Sequence, residues 1–188
     1  MIDTICAIAT AITKGSISII RISGSEAYSI ALELTKKSSF TPRMATLSKV
    51  YDLNDSLIDE ALVIYFKAPV SFTGEDIVEF QCHGGLVVAN TILEAILNTK
   101  KVRIADPGEF SKRAFLNGKM DLSKAEAISK LIEIKSKDAL HLLSRHLKGD
   151  LKLFCDELRE ELIIVLAFIE VSIDYAEEDL PEDTLSQI

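Results

Sequence analysis

The amino-acid sequence changes character at residue 121, and this change constrains the fold more than any other feature. Ten of the twelve glycines and prolines lie before it, and only Gly149 and Pro181 follow it. Because glycine and proline interrupt regular elements, the first part must consist of short elements and the second of long helices. The sequence therefore predicts two domains, residues 1–119 and residues 120–188.

Short β-type runs alternate with helix-type runs in residues 1–119. Runs rich in isoleucine, valine and other β-formers predict strands over residues 4–10, 17–23, 46–51, 60–66, 77–82 and 101–105. Apolar residues at helical spacing predict helices over residues 26–37, 86–97 and 108–117, the last with Pro107 in its first turn. This mixture predicts an α+β fold with a mixed β-sheet and helices, followed by an α-helical segment.

An apolar stripe from Leu122 to Leu147 predicts the first helix of the second part, which should end at Gly149. Ser123 and Glu126 have the spacing of a capping box. In that motif the two side chains satisfy free backbone N–H groups at the start of a helix.

A second helix is predicted from about Asp150 to Tyr175. Its middle, residues 162–169, is apolar on every side, and a helix of this kind must be enclosed by other helices. Two helices cannot enclose it. We therefore expect partners from outside these 188 residues, or self-association.

Composition and charge exclude several classes of protein. Of the 188 residues, 48% are apolar and 27% are charged, which is typical of folded proteins. The longest apolar run has eight residues, far below the roughly 20 that span a membrane, and no secretory signal follows Met1. We therefore expect a cytoplasmic protein that makes no membrane contact. Three distant cysteines, Cys6, Cys82 and Cys155, fit reduced thiols.

The net charge of −8 is concentrated near the end of the sequence. Residues 151–188 carry two basic and eleven acidic side chains, and the remainder is close to neutral. This balance argues against a dedicated nucleic-acid binder, because phosphate binding requires clustered lysine and arginine.

Residues 71–85 form the first candidate site, in which acidic and hydroxyl side chains stand beside glycines that let the backbone approach a ligand. Glu79 projects opposite to Val78 and Phe80 on a predicted strand. Its carboxylate there could accept paired N–H donors from a ring. The alternative is a capped turn, a strand and a glycine turn whose acids are solvated.

Residues 106–119 form the second candidate. Its basic side chains, which could meet an anion, are Lys112, Arg113 and Lys119. The alternative is a solvated helix face with Phe110 and Phe115 turned toward the core. Arg21 is a separate case, since it interrupts an apolar strand and needs either a carboxylate partner or exposure on the outer face of the sheet.

Other kinds of site lack their defining residues. His83 stands next to Cys82, but a zinc site needs three or four ligands and the remaining histidines, His141 and His146, lie on a predicted helix. We expect His83 to be structural. No G-x-S-x-G nucleophile motif, phosphate loop or G-x-G-x-x-G fingerprint occurs in the sequence.

Four stretches together resemble the bacterial tRNA-modification GTPases of the TrmE/MnmE family. They are TICAIAT at residues 4–10, IIRISG at 19–24, FTGED at 72–76 with HGG at 83–85, and PGEF at 107–110 continuing through RAFLNGK at 113–119 to AEA at 125–127. Their order and spacing match, and the resemblance covers essentially the whole chain. One departure is the turn around Ser16, which is usually glycine-rich with a proline in the family.

The resemblance implies a three-part protein. An N-terminal domain similar to aminomethyltransferases binds folate and forms the homodimer, and a GTPase domain is inserted into a helical domain. Only the first domain and the first helices lie in this chain, so GTP, magnesium and potassium would bind elsewhere in the protein. The whole enzyme, with a flavin-dependent partner protein, would help form a carboxymethylaminomethyl-type group on the wobble uridine of tRNA.

The resemblance assigns contacts with a tetrahydrofolate derivative, either 5-formyl- or methylene-tetrahydrofolate, to Arg21, Glu79 and Lys119. It assigns no catalytic residue and no metal ligand to this chain. A carboxylate at position 79 suits the amino group and ring N–H of a pterin, and the two cations suit carboxylate or carbonyl groups elsewhere on the cofactor. The reactive cysteine of the family belongs to its C-terminal part, so we do not expect that role for any cysteine here.

Two other functions remain open from the sequence. A freestanding folate-dependent enzyme similar to aminomethyltransferases would turn over substrate with these residues alone. A ligand-free helical assembly module would use the apolar second helix.

Overall fold

A computed structural model describes residues 3–11, 13, 15–134, 136–137, 139–140 and 150–174. The chain divides into two compact units, Met1–Met120 and Asp121–Ile188.

Six strands of the first unit form one mixed sheet. They are β1 (Thr4–Ile8), β2 (Ile17–Ser23), β3 (Thr46–Tyr51), β4 (Leu57–Phe66), β5 (Ile77–His83) and β6 (Val102–Ile104). Their order across the sheet is β3-β4-β5-β2-β1-β6. The β1–β6 pair is parallel, and the other four pairs are antiparallel. The predicted α+β class with a mixed sheet is confirmed.

Helices α1 (Ala27–Thr35) and α2 (Leu86–Asn98) pack on one face of this sheet. The core between them is built from apolar side chains of both layers, including Ile30, Leu34, Ile92 and Ile96 from the helices and Ile20, Ile22, Val63, Val78 and Phe80 from the strands. Burial of these side chains is the main force that holds the two layers together.

Helix α3 (Glu109–Leu116) follows β6. Its N-cap is Gly108, in the left-handed region at φ 76°, so Pro107 precedes the helix instead of occupying its first turn as predicted. The left-handed Gly108 turns the chain into α3 at a backbone angle that favours glycine.

The opposite face of the sheet, called the open face below, is only partly covered. Ile17, Leu47 and Leu62 are 61%, 58% and 40% exposed there. Successive side chains of a strand point to opposite faces, so in β2 Ile20 and Ile22 enter the core while Arg21 is placed on the open face. The register of β2 with β5 sets Arg21 directly across from Glu79.

The second unit contains α4 (Leu122–Glu133) and α5 (Asp150–Asp174). The predicted capping box is wrong in its position. The N-cap is Asp121, whose carboxylate accepts the backbone N–H of Lys124 at 2.8 Å, while the Ser123 hydroxyl donates to that same carboxylate. Aspartate caps as well as serine does, and it stands two residues earlier.

The single helix predicted from Leu122 to Gly149 is also wrong. Helix α4 ends at Glu133 because Ile134 adopts an extended conformation, with φ −66° and ψ 138°. A new helical turn then begins after Ser136, whose carbonyl accepts the N–H of Leu140 at 3.1 Å. Serine favours helix starts, which accounts for a restart at this point. Residues 141–149, where the predicted end falls, lie outside the described residues.

Helix α5 exposes much of its apolar surface. The large side chains of residues 162–166 that are exposed are Leu162 (59%), Ile163 (43%), Ile164 (54%) and Leu166 (54%). No helix in the part of the chain that the structure describes has the length and apolar content to cross a membrane.

Candidate functional site

Arg21 and Glu79 form an ion pair on the open face. The two side chains come from adjacent antiparallel strands and are direct partners in the register. Arg21 Nε donates to Glu79 Oε1 at 2.8 Å, and Arg21 Nη2 lies 2.7 Å from the same oxygen. The sequence required a carboxylate or exposure for Arg21, and the structure supplies the carboxylate.

The second oxygen of Glu79 remains available. Glu79 Oε2 accepts no hydrogen bond from the described residues, and none of their buried side-chain oxygens or nitrogens lacks a partner. Glu79 is only partly buried, so an Oε2 atom without a hydrogen-bond partner must be in contact with solvent. Arg21 therefore orients the Glu79 carboxylate through Oε1, while Oε2 stays free to accept a hydrogen bond from a ligand.

Two aromatic rings flank the guanidinium of Arg21. Its Cζ lies 5.4 Å from the centroid of the Phe72 ring and 5.7 Å from that of Phe110. Both distances are within the range of cation–π attraction. Phe72 belongs to the β4–β5 connection and Phe110 to α3, so both segments lie beside the open face at Arg21. No pattern in the sequence predicted either ring at this position.

Lys119 follows α3, and its backbone N–H donates to the Ala114 carbonyl at 2.7 Å. Its side chain crosses Gly74. A Cβ at Gly74 would lie 2.9 Å from Lys119 Cε, so the end of the lysine side chain lies directly against this glycine, whose φ of 80° also favours glycine. The structure thus brings Lys119 against the same connection that carries Phe72. Its ammonium makes no ion pair with a described residue.

Arg113 is the centre of a buried ionic network. Its side chain is 7% exposed, and its Nη1 lies 3.2 Å from both carboxylate oxygens of Glu75. Its Nη2 lies 3.0 Å from Glu109 Oε1 and 2.9 Å from Asp3 Oδ1. Arg103 joins the network from β6 by pairing with Glu109 at 2.7 Å and with Asp3.

The charges in this network are mutually stabilised. Hydrogen bonding from Arg103 lowers the pKa of Glu109 to about 2, against the opposing effect of burial. Burial opposes the charge of Arg113, yet its hydrogen bonds and charge interactions with Glu109 and Glu75 outweigh burial and raise its pKa. Arg113 therefore stays charged, with its donors directed at carboxylates.

The ion pairs described above show whether the charged side chains of residues 71–85 and 106–119 are solvated or paired. The acids of residues 71–85 are not simply solvated, because Glu75 pairs with Arg113, Glu79 pairs with Arg21, and Asp76 accepts from the Tyr65 hydroxyl at 3.0 Å. In residues 106–119, Arg113 is not available to an external anion, which corrects that expectation. The alternative of a solvated helix face holds for Lys112, which is exposed, but it is wrong for Arg113, which is buried, and for Phe115, which is 38% exposed instead of turned toward the core.

The connection between β4 and β5 is anchored to β2 and to the end of α3. The Ser23 hydroxyl lies 2.7 Å from both Thr73 Oγ1 and Glu75 Oε2. Asn117 Nδ2 donates to the Thr73 carbonyl at 2.7 Å. Thr73 is fully buried as a result.

His83 has a protein partner. Its Nδ1 lies 2.7 Å from Asp59 Oδ1, and its backbone N–H donates to Asp59 Oδ2 at 2.8 Å. Burial opposes ionisation of Asp59, but the hydrogen bonds from His83 lower its pKa. Among the described residues, no group of three or more His, Cys, Asp or Glu side chains is placed to hold a metal ion. Cys6 is buried, which raises its pKa to about 11 and makes it a poor nucleophile.

The two larger cavities described for the first unit are not lined by Arg21 or Glu79. One of about 490 Å³ lies at the start of α2 and is lined by small and apolar residues, including Ile8, Ala11, Ser18, Gly84, Leu86 and Ala89. The other, of about 440 Å³, is lined by the ionic network around Arg113 and by Lys112, Leu116 and Asn117.

Two family models together match almost the whole chain. The model described as the N-terminus of the GTP-binding protein TrmE matches residues 4–119. The model described as the MnmE helical domain matches residues 122–188. The chain belongs to the TrmE/MnmE family. The resemblance in sequence that pointed to this family is thereby confirmed.

Curated relatives agree with this assignment. The chain is 62% identical over 186 residues to a tRNA modification GTPase MnmE of Aliarcobacter butzleri, which covers 99% of the chain and 42% of the relative. It is 61% identical over 186 residues, with the same coverage, to the protein of that name in Sulfurimonas denitrificans. With that of Helicobacter acinonychis it shares 52% over 188 residues, which is 100% of the chain and 41% of the relative. The chain thus spans well under half the length of these relatives.

Proposed function

We propose that the first unit binds the pteridine ring of a reduced folate at Glu79, and that Arg21 and Lys119 bind the rest of that cofactor. The observation that carries the proposal is the geometry of Glu79. Arg21 holds one of its carboxylate oxygens and leaves the other facing solvent. A carboxylate fixed in this way can accept the exocyclic amino group and an adjacent ring N–H of a pterin.

The two cations have free donors for the remaining polar groups of a folate. Arg21 Nη1 has no hydrogen-bond partner among the described residues, and Lys119 is an exposed residue. Folates end in carboxylates, which such donors bind well. The chain's own residues therefore account for binding and orientation, while the one-carbon unit would be supplied by the cofactor when bound.

Titration of 5-formyltetrahydrofolate into the chain, followed by calorimetry, tests this function. We expect saturable binding with one folate per chain. The absence of binding heat over a wide concentration range would contradict the proposal.

The wider role proposed for this chain follows from its family. It would act within a GTP-dependent enzyme that, with a flavin-dependent partner, forms the carboxymethylaminomethyl-type group on the wobble uridine of tRNA in the cytoplasm. Residues 1–119 would supply folate binding and dimerisation, and residues 120–188 the first helices of the helical domain. The names of the relatives, each a tRNA modification GTPase, support this role.

A second copy of the chain is the proposed partner of the first unit. The open face supports this, because Ile17, Leu47 and Leu62 expose apolar surface there and line a depression of about 340 Å³. Apolar patches of this kind commonly mark protein interfaces.

A further inference from the structure

The β4–β5 connection is irregular yet firmly held. Residues 67–76 contain no helix or strand, and such segments are usually mobile at a protein surface. Here Thr73 is fully buried and is fixed by Ser23 and by Asn117. The segment is therefore fixed by side chains from β2 and α3 instead of by backbone pairing.

Arg113 supplies the charged part of this anchoring. Its Nη1 contacts both oxygens of Glu75 at 3.2 Å and also donates to the Asp3 carbonyl at 2.7 Å. Glu75 in turn accepts the Ser23 hydroxyl at 2.7 Å. The Glu75 side chain is 13% exposed and the Arg113 side chain is 7% exposed. If either partner were removed, water could not fully solvate the charge of the other, so the pair is costly to break.

The anchored segment carries two contacts to the candidate folate site. The centroid of the Phe72 ring lies 5.4 Å from Arg21 Cζ, and the Lys119 side chain packs directly against Gly74. Glu75 follows these residues directly in the chain. A movement of Glu75 would therefore move the ring beside Arg21 and the surface under Lys119.

We propose that Arg113 is a positioning residue for the folate site: through Glu75 it fixes residues 72–75, so that Arg21 and Lys119 are presented to one ligand. Arg113 itself touches no ligand. This role rests on the proposed folate function, since positioning has a meaning only if these two cations bind a shared molecule.

Arg113→Lys and Glu75→Gln test the role from both sides of the ion pair. Lysine keeps the charge but cannot contact Glu75, Glu109 and Asp3 together. Glutamine keeps an acceptor for Ser23 but loses the charge that faces Arg113. Each variant should weaken binding of 5-formyltetrahydrofolate by about tenfold, measured by calorimetry at a temperature where the protein is folded.

Arg103→Gln is the matched control. Arg103 belongs to the same network and pairs with Glu109 and Asp3, but it makes no contact with Glu75. We expect this variant to lower the melting temperature and to leave folate affinity unchanged. A loss of affinity that simply follows the loss of stability in all three variants would overturn the proposal.

A fluorescent reporter separates positioning from the folate function itself. The chain contains no tryptophan, so Phe72→Trp introduces a single indole beside Arg21. In this background, Arg113→Lys and Glu75→Gln should shift the emission to longer wavelength and increase quenching by acrylamide, whereas Arg103→Gln should do neither. Unchanged emission and quenching in the first two variants would overturn the positioning role. Failure of the unsubstituted chain to bind folate would instead overturn the proposed function, while the reporter would still decide whether Arg113 holds the segment.

Discussion

Arg21 and Arg113 both face carboxylates, but they differ in the number of carboxylates around them. Arg21 has one partner, Glu79, and keeps free donors, whereas Arg113 is surrounded by Glu75, Glu109 and Asp3. The first arrangement suits ligand binding and the second suits a structural or positioning role. One carboxylate partner thus leaves Arg21 with donors for a ligand, whereas three carboxylate partners occupy those of Arg113.

The stability of the fold at low pH should depend on the ionisation of Glu109. A carboxyl whose pKa is lower in the folded state stabilises the fold above its unfolded pKa and loses this effect as the pH falls through the folded value. For Glu109 this window runs from pH 4.5 down to about 2. The melting temperatures of the unsubstituted chain and of Glu109→Gln should therefore converge as the pH is lowered from 5 to about 2. A constant difference across that range would contradict the pairing of Glu109 with Arg103 and Arg113.

At the residue scale, the sequence was informative where the pattern within a single strand determined the surroundings of a side chain. Arg21 in an apolar strand required either a carboxylate partner or exposure on the outer face, and alternation in β5 placed Glu79 opposite to its core neighbours. The Glu75–Arg113 pair could not be predicted in this way, because the two residues are 38 positions apart and no local pattern relates them. Only the folded chain brings the β4–β5 connection against α3.

At the scale of elements, the β1–β2 connection passes very close to the end of β5. The Gly84 N–H donates to the Ser16 carbonyl at 2.8 Å. A Cβ at Gly84 would lie 2.1 Å from the Gly15 carbonyl oxygen, which is a backbone atom that cannot rotate away. Gly84 is therefore required for this approach of two backbones.

Gly84→Ala should destabilise the first unit by about 2–3 kcal/mol, because overpacking forces the backbone to shift. Urea denaturation followed by circular dichroism measures the change. Gly85→Ala is the control, since no atom lies within 4 Å of the Cβ position and φ is 170°, which is extended backbone. Equal stabilities of the two variants would contradict the close approach.

Strands and short helices were largely predictable because glycine, proline and alternation delimit them in the first unit. The boundaries of α4 were not. Both Asp121 and Ser123 are suitable N-caps, and the apolar stripe continues past Glu133 although Ile134 is extended. Periodicity alone does not show where a helix breaks when its apolar pattern continues in the next turn.

At the scale of the whole molecule, exposed apolar surface occurs both on the open face and on α5. The structure separates its units between residues 120 and 121, and the glycine and proline content of the sequence changes near the same position. The sequence did not predict which partners bury these exposed surfaces. Apolar residues indicate that a surface is buried in an interface, but they do not identify the molecule on the other side.

The chain should form a homodimer through the first unit. Light scattering after size-exclusion chromatography should give twice the monomer mass of 20.7 kDa. Leu47→Glu should yield a folded monomer, because Leu47 is 58% exposed and a charge there disrupts the apolar patch without disturbing the core. Leu162→Glu, on α5, should leave the dimer intact. A monomeric unsubstituted chain, or a dimer lost only with Leu162→Glu, would contradict this assignment.

The central claim, that Glu79 receives the pteridine ring of a reduced folate, is tested most directly by calorimetric titration of 5-formyltetrahydrofolate into Glu79→Gln beside Glu60→Gln. Both changes remove one carboxylate from the same sheet, but Glu60 is exposed on β4, opposite Lys49. We predict that Glu79→Gln abolishes measurable binding, whereas Glu60→Gln binds as the unsubstituted chain does. Equal affinity of the two variants would contradict the account.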